Sequence, residues 1–271
     1  MNLIHHVIGT AVLVALSGVT TYASELSPRT AAAFDRYVEA AERRMSGALK
    51  SHAAFLWIDT LESARQRDVR ARLQRGEVVT ERLRIAEEID VPDALVHHWV
   101  GIVFIPSVHV GDAVRLMQDY DRHAALFTPN VVQSKILGRQ GDRFRVFLRF
   151  YMKKVMTVTL DTENDAQFVT VAPDRVYSTI RSTRISEVED AGTPAEKELA
   201  PGEGHGFMWR LNTYWRFLER DGGTYVQCES ITLSRDVPFG LGWMIKPFIT
   251  EVPKDSLTFT LQRVRTTLAQ R

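Results

Sequence analysis

Residues 143–152 read RFRVFLRFYM, and this stretch decides the fold. Every second residue, beginning with Phe144, is apolar, while Arg143, Arg145 and Arg149 lie at the positions between. Successive side chains of a β-strand point to opposite faces, so a period of two predicts a strand with one apolar and one solvated face. The stretch therefore predicts an antiparallel sheet.

Similar runs of β-branched and aromatic residues continue on both sides of this strand. Further strands are predicted at 77–85, 95–105, 131–138, 155–171 (as one strand or as two joined near 161–165), 175–188, 207–220 and 224–235. The last two form the clearest hairpin, closed by Asp221-Gly222-Gly223. Residues 189–206 are rich in Gly, Pro, Glu and Ala and are predicted to form the longest loop, which we expect to be mobile.

Apolar residues spaced by three and four predict helices at 27–52, 59–75 and 108–127. The same spacing returns near the C-terminus, where an apolar lead-in at 239–249 precedes Leu257, Leu261, Val264 and Leu268. The order of elements predicts an α+β fold in which a curved antiparallel sheet wraps round a long C-terminal helix. Such an arrangement often leaves a hollow between sheet and helix.

The composition limits the classes of partner. The 271 residues include 34 basic and 33 acidic side chains, for a net charge of +1, so no strong field attracts nucleic acid. Apolar residues at 45% and charged residues at 25% are typical of a globular protein. Cys228 is the single cysteine, which excludes an internal disulfide, and its place in an apolar strand favours a buried, inert thiol.

Residues 1–23 have the composition of a cleavable signal peptide. The uncharged run 7–19 is followed by small and polar residues, with Thr21 and Ala23 suited to a cut after Ala23. This run is shorter than the ~20 apolar residues that a membrane-spanning helix needs, which disfavours an uncleaved anchor. The sequence therefore predicts a periplasmic or secreted protein.

Motifs for metals, cofactors and covalent catalysis are weak. His97 and His98 are adjacent in a strand, so their side chains point to opposite faces and cannot share a metal. The glycine-rich residues 202–206 lack the following helix that a phosphate site needs. The alternating acids at 161–165 lack the glycine and distal glutamate of a calcium loop, which favours a solvated acidic turn. No metal or cofactor is expected.

Five short stretches carry a family resemblance; they are 97–101 (HHWVG), 116–121 (LMQDYD), 160–163 (LDTE), 207–212 (FMWRLN) and 240–243 (GLGW). With the order of elements, they resemble the START-like (SRPBCC, polyketide cyclase-like) superfamily over about residues 27–269, and within it an exported bacterial group. The resemblance implies a helix-grip fold with about six or seven strands. It divides the chain into an N-terminal helical extension at 24–94, packed on a START-like domain at 95–271.

Two charged residues lie in register with apolar neighbours. Glu229 falls between Gln227 and Ile231, and Arg184 lies in the strand near Ile180. If both face the hollow, burial requires that they pair or contact a polar ligand head group, although an internal salt bridge that only stabilises the sheet would also explain them. Aromatic residues in strands line a cavity or fill a core equally well. The candidate cavity residues are Trp99, Phe144, Phe150, Arg184, Trp209, Trp215, Phe217, Glu229 and Trp243.

Three functions are compatible with these features. The superfamily includes lipid carriers and cyclases, so the first is an exported carrier of a lipid-like, hydrophobic small molecule. The second is an enzyme of the cyclase or dehydratase type, with Glu229, Arg184 or Tyr214 as acid or base. The third is an envelope interaction module with a collapsed cavity, in which residues 237–252 make peripheral contact with a membrane or partner. The carrier is the favoured interpretation.

Overall fold

The computed structural model describes residues 25–50, 54–85, 89–153, 157–236 and 242–270, with only the backbone of residues 50 and 242–250. The predicted signal peptide lies outside the described residues. The helices are α1 (Pro28–Lys50), α2 (Ser63–Gln74), α3 (Val110–Gln118), α4 (His123–Leu126) and α5 (Gly242–Ala269), with 3₁₀ turns at Trp57–Thr60 and Tyr120–Arg122. The strands are β1 (Val79–Arg82), β2 (Ala94–Pro106), β3 (Val131–Gln140), β4 (Arg143–Lys153), β5 (Thr157–Ala172), β6 (Arg175–Glu189), β7 (Lys197–Glu198), β8 (Arg210–Arg220) and β9 (Gly223–Arg235).

These nine described strands form one open antiparallel sheet in the order β1-β2-β9-β8-β6-β5-β4-β3, with β7 paired to β6. Helix α5 lies across one face of this sheet, here called the inner face. The α+β helix-grip arrangement predicted from the sequence is confirmed. The predicted hairpin is also present as β8 and β9, joined through Asp221 and Gly222. Both turn residues have positive φ (58° and 78°), as a two-residue type I′ turn requires.

The sheet is larger than the six or seven strands expected. Strand β1 joins the main sheet by pairing with β2, and β7 is too short to show a period-two pattern. Strand β5 runs unbroken through residues 161–165, so the acids there lie in mid-strand and the predicted acidic turn is wrong. The division of the chain at residue 94 stays a prediction.

The single helix predicted at 108–127 is wrong. Helix α3 ends at Gln118, and Asp119 takes a non-helical conformation (φ −82°, ψ 59°). A 3₁₀ turn and the short α4 follow. The side chain of an aspartate can hydrogen-bond nearby backbone groups in non-helical conformations. An aspartate at residue 119 therefore favours the end of the helix there.

Helix α5 packs mainly on β2, and a glycine permits the close approach. A Cβ atom at Gly101 would lie 2.6 Å from Cδ1 of Leu261 and 3.0 Å from Cγ of Leu257. Both leucines are buried. Any side chain at residue 101 would therefore force these leucine side chains, or α5 itself, to shift.

The opposite, outer face of β2, β8 and β9 is covered by the N-terminal segment. Helix α1 packs Phe34 and Val38 against Trp209 and Ile231. Residues 55–58 and α2 cover Val100, Ile102 and Tyr225 farther along the same face. These central strands are therefore buried on both faces. None of the described helices combines the length and apolarity that crossing a bilayer requires.

We predict that Gly101→Ala lowers the free energy of unfolding by about 1–3 kcal/mol, because the added methyl group overpacks the contact with α5. Gly47→Ala is the matched control, since Gly47 is exposed in α1 and a Cβ there meets nothing within 4 Å. Alanine favours a helix over glycine by roughly 0.5–1 kcal/mol, so this control should be neutral or stabilising. Urea denaturation measures both; a Gly101→Ala protein as stable as the control would contradict the close packing.

Candidate functional site

A cavity of about 230 Å³ lies between α5 and the inner face of the sheet. Its walls come from the 119–127 segment, from α5 and from strands β2, β4, β5, β6, β8 and β9. No described lining residue is Asp, Glu, Lys or Arg. Its polar groups are histidines, hydroxyls, amides and the thiol of Cys228, among a majority of apolar side chains.

The two ends of the cavity differ in exposure. At one end Met152, Met208 and Val252 are half-buried, and at the other Tyr120 and His123 are buried. The buried end lies farther along α5, because the Nε of Arg263 donates to the carbonyl oxygen of Leu126 beside it (2.8 Å). Arg263 is eleven residues beyond Val252, which is roughly 16 Å along a helix. The cavity thus runs from an apolar mouth to a closed inner end.

Three polar atoms at the inner end have no hydrogen-bond partner among the described residues. They are the hydroxyl of Tyr120, Nε2 of His123 and Oδ1 of Asn164. All three side chains line the cavity and are at most 3% exposed. Asn164 pairs with Val146, which follows Phe144 on the same face, and Phe144 contacts the Tyr120 ring (centroids 5.4 Å apart). Buried polar atoms are rarely left unpaired, so this end of the cavity is suited to a polar ligand group or to water.

Hydrogen bonds to strand β3 hold the Tyr120–His123 segment in place. The backbone N–H of Ala124 donates to Oγ of Ser134, and the N–H of Ile136 donates to Oδ1 of Asp121; the donor–acceptor distance is 2.8 Å in each case. The Tyr120 and His123 rings also contact each other, with centroids 4.7 Å apart. Their positions at the inner end are therefore set by the surrounding protein.

The orientation of the Asn164 amide follows from its neighbour. The Oγ1 hydroxyl of Thr162 donates to the carbonyl oxygen of Leu148 (3.0 Å), so it accepts from Nδ2 of Asn164 (2.9 Å). The Oδ1 atom is consequently the free end of the amide. Asn164 presents a hydrogen-bond acceptor.

The titratable groups of the cavity are neutral at pH 7. Burial lowers the pKa of His123 to about 4, and burial with the nearby charge of Arg82 lowers the pKa of His97 to about 4. Burial raises the pKa of Tyr120 and of the Cys228 thiol. The buried thiol agrees with the sequence prediction for Cys228. These groups can hydrogen-bond a ligand, but none has a pKa near neutrality as an efficient acid or base needs.

Of the predicted cavity residues, Phe150 and Trp215 line the cavity. Trp99, Phe144 and Phe217 belong to the inner-face core without lining the cavity.

The remaining predicted aromatic residues lie elsewhere or are only partly described. Trp209 lies on the outer face under α1, so its assignment to the cavity is wrong. Trp243 falls in α5, and its side chain lies outside the described part of the structure.

The placement of Glu229 and Arg184 in the hollow is also wrong. Glu229 shares a strand face with Gln227 and Ile231, as the alternation predicts, but that face is the outer one. Arg184 forms a surface ion pair with Glu198 (2.5 Å), in which each side chain is 38% exposed. Alternation shows which side chains share a face, and it cannot identify that face when both are buried.

Glu229 instead anchors a buried polar cluster beneath α1. Its carboxylate pairs with Arg44 and accepts from Nε2 of His98 (2.7 Å), while Nδ1 of His98 accepts from the hydroxyl of Tyr37 (3.0 Å). Burial acts to raise the pKa of Glu229, but the His98 hydrogen bond and the charges of Arg44 and Arg216 together hold it below its usual value. The carboxylate is therefore ionised, and its Oε1 atom contacts both Arg44 and His98.

Arg216 and Tyr214 extend the contacts between α1 and the sheet. Arg216 donates to the carbonyl oxygens of Phe55 (2.5 Å) and Met45 (3.4 Å), and burial lowers its pKa to about 10, so it stays charged. The hydroxyl of Tyr214, a candidate acid or base, donates to Glu42 on α1 (2.7 Å). The candidate enzyme residues Glu229, Arg184 and Tyr214 thus all lie outside the cavity.

The motifs judged weak from the sequence have other roles. His97 and His98 point to opposite faces of the sheet. His97 points into the cavity, and His98 into the polar cluster around Glu229 beneath α1, here called the outer cluster. The glycine-rich loop wraps the carboxylate of Glu187, which accepts from the backbone N–H groups of His205 (2.9 Å) and Phe207 (3.0 Å). Asp161 accepts two hydrogen bonds from Arg149 (2.6 and 2.7 Å). The described residues contain no cluster of His, Cys, Asp or Glu able to hold a metal.

A larger groove of about 740 Å³ crosses the outer face of the sheet between β3 and β6. It is open and lined by charged residues, among them Arg145 and Arg181. These two arginines pair with Glu163 and Glu42, which compensates their charge. The enclosed apolar cavity is therefore the better candidate ligand site.

The inner-end residues were not proposed as site residues from the sequence. Tyr120 falls on the apolar side of the helix predicted there, which is also what a core residue would do. Asn164 carried a usable signal, because it is an amide in the same strand register as Leu160 and Phe168. His123 lies in a four-residue helix and carried no periodic signal.

A scan against protein-family models and a search of curated proteins found no match. Solved structures similar to this chain include START-domain and polyketide aromatase/cyclase proteins. A STAR-related lipid transfer protein from Xanthomonas axonopodis matches at 16% identity and a TM-score of 0.42, over 70% of this chain and 98% of that one.

Two further solved structures are similar to this chain at a comparable sequence identity and TM-score. The Zhui aromatase/cyclase from Streptomyces sp. R1128 is 16% identical, with a TM-score of 0.45 over 65% of this chain and 96% of that one. The protein TTHA0849 from Thermus thermophilus is 13% identical, with a TM-score of 0.46 over 63% of this chain and 96% of that one.

We predict that Glu229→Gln lowers the free energy of unfolding at pH 7 by about 3 kcal/mol, because it breaks a buried charge pair. Glu198→Gln is the matched control, since its exposed pair with Arg184 should be worth less than about 1 kcal/mol. The folded-state pKa of Glu229 is lowered, so its stabilisation is present above pH 4.5 and lost as the pH falls below that value.

The difference between wild type and Glu229→Gln should therefore shrink in acid. Urea denaturation from pH 7 to pH 3 measures it. Equal losses in Glu229→Gln and Glu198→Gln at pH 7 would show that the outer cluster is not the tightly paired site described here.

Proposed function

We propose that this chain is an exported binding protein for an uncharged, hydrophobic small molecule held between the sheet and α5. The supporting observation is the cavity itself, whose described lining has no charged side chain and whose histidines are neutral at pH 7. An anionic or cationic ligand would lose its hydration there without gaining a counter-charge. An uncharged, largely apolar molecule loses little on entry and gains the hydrophobic free energy of burial.

The size of the cavity favours a compact ligand. Its volume of about 230 Å³ is below the roughly 300–1,000 Å³ of sites for drug-sized ligands. A small ring system or a single short chain suits this volume better than a bulky lipid with two chains.

The structure gives less support to the other two functions. The residues named for a cyclase or dehydratase, Glu229, Arg184 and Tyr214, all contact partners outside the cavity. The interaction module requires a collapsed cavity, whereas an open volume is present. The segment proposed for membrane contact, 237–252, lies largely outside the described residues, with only the α5 backbone and the side chains of residues 251 and 252 available.

Ligand binding is tested by titrating the mature protein with N-phenyl-1-naphthylamine, an uncharged probe that fluoresces in apolar surroundings. We expect saturable binding that Leu211→Trp weakens by tenfold or more, because Leu211 lines the cavity and the larger ring fills it. Leu137→Trp makes the same change at an exposed position on β3 and should leave the affinity unchanged. Equal effects of the two substitutions, or no binding by the wild type, would refute the proposal.

Export rests on residues 1–23 and is tested separately. Expression of the full chain in a Gram-negative host should yield a periplasmic or secreted protein whose N-terminal residue, determined by Edman sequencing, is Ser24. Replacing Leu13 and Val14 by arginine interrupts the apolar run and should leave the uncut chain in the cytoplasm. A wild-type chain that keeps residues 1–23 and stays in the cytoplasm would exclude export.

A further inference from the structure

We propose that the inner end of the cavity recognises a hydroxyl group, so that the ligand is an uncharged alcohol or phenol bound with its hydroxyl innermost. This inference rests on the proposed function and adds the chemistry of the ligand. It is carried by the three buried, unpartnered polar atoms of Tyr120, His123 and Asn164.

These atoms form a complementary set. The Nε2 of His123 has no partner in the protein, while the backbone groups of Met117 and Leu116 act to raise the pKa of the ring, as hydrogen-bond acceptors do; this favours a neutral ring with its proton on Nδ1 and Nε2 as an acceptor. The Oδ1 of Asn164 is a second acceptor, with the amide orientation set by Thr162. The hydroxyl of Tyr120 can donate or accept.

A hydroxyl is the simplest group that satisfies such a set. It donates one hydrogen bond, here to His123 or Asn164, and accepts another from the hydroxyl of Tyr120. A carboxylate or phosphate only accepts hydrogen bonds and would face two acceptors without a cation among the described lining residues. A purely apolar ligand forms no hydrogen bond with these three atoms and so gains less on binding than a ligand with a hydroxyl.

The shape of the cavity sets the direction of binding. The three polar atoms lie at the buried end, while the half-exposed mouth is formed by apolar side chains such as Met152, Met208 and Val252. A ligand with one polar and one apolar end fits with the hydroxyl inward. The apolar end then lies at the mouth.

Three probes with the same ring system separate the alternatives at pH 7: naphthalene, 2-naphthol and 2-naphthoate. Isothermal titration calorimetry of the mature protein should show that 2-naphthol binds about tenfold more tightly than naphthalene, and 2-naphthoate more weakly than either. Tyr120→Phe should reduce the affinity for 2-naphthol to near that for naphthalene and leave naphthalene binding unchanged. His123→Asn, which keeps a donor at the Nδ1 position and removes the Nε2 acceptor, should also reduce the preference.

Tyr214→Phe is the matched control, because its hydroxyl bonds Glu42 on the outer face. It should leave the preference for 2-naphthol intact and lower the melting temperature. Tyr120→Phe should keep or raise the melting temperature of the ligand-free protein, since it removes an unpartnered buried hydroxyl.

Equal affinities of the wild type for naphthalene and 2-naphthol would overturn the hydroxyl site and leave the proposed function standing. Tightest binding of 2-naphthoate would overturn the uncharged site as a whole. Retention of the 2-naphthol preference in both Tyr120→Phe and His123→Asn would assign these polar atoms to trapped water and overturn the inference. Failure of all three probes to bind would overturn the proposed function together with it.

Discussion

The contact of α5 with β2 at Gly101 is the constraint on which the inner side of the protein depends. Because no side chain separates helix from strand there, the two leucines of α5 reach the sheet directly. The helix therefore lies against β2, and the cavity occupies the space that remains between α5, the inner face of the sheet and the 119–127 segment. The cavity therefore lies beside a line of close contact between sheet and helix.

The second constraint is that β2, β8 and β9 are buried on both faces. An antiparallel sheet commonly leaves one face in water, and charged residues then mark that face. Here α1 and residues 55–58 cover the second face, so charged residues such as Glu229 and Arg216 are enclosed. Each is stabilised by contacts from the N-terminal segment. The outer cluster therefore serves as the attachment of α1, while the opposite face carries the uncharged cavity.

These constraints explain what sequence reasoning could reach. Local periodicity was sufficient for the eight longer strands, for the β8–β9 turn and for the leucines of α5, because each pattern arises within a few residues. Glu229 faces α1 and pairs there with Arg44, which precedes it by 185 residues in the sequence. No local pattern encodes such a contact. Trp209 was misplaced for the same reason. His123 was missed because a short helix after the break at Asp119 has no period to detect, whereas Asn164 stood in an apolar register that marked it as unusual.

The order of elements along the chain also governs how late in folding the cavity can form. Strand β2 pairs with β9, which follows more than a hundred residues later in the chain, as the pairing of Val100 with Glu229 shows. Bringing β2 and β9 together closes a long loop of chain, and this closure costs conformational entropy before the contacts between the two strands form. Helix α5 follows β9 and supplies the last wall. A chain truncated before residue 252 therefore keeps the strands of the sheet but lacks the wall of the cavity that α5 supplies.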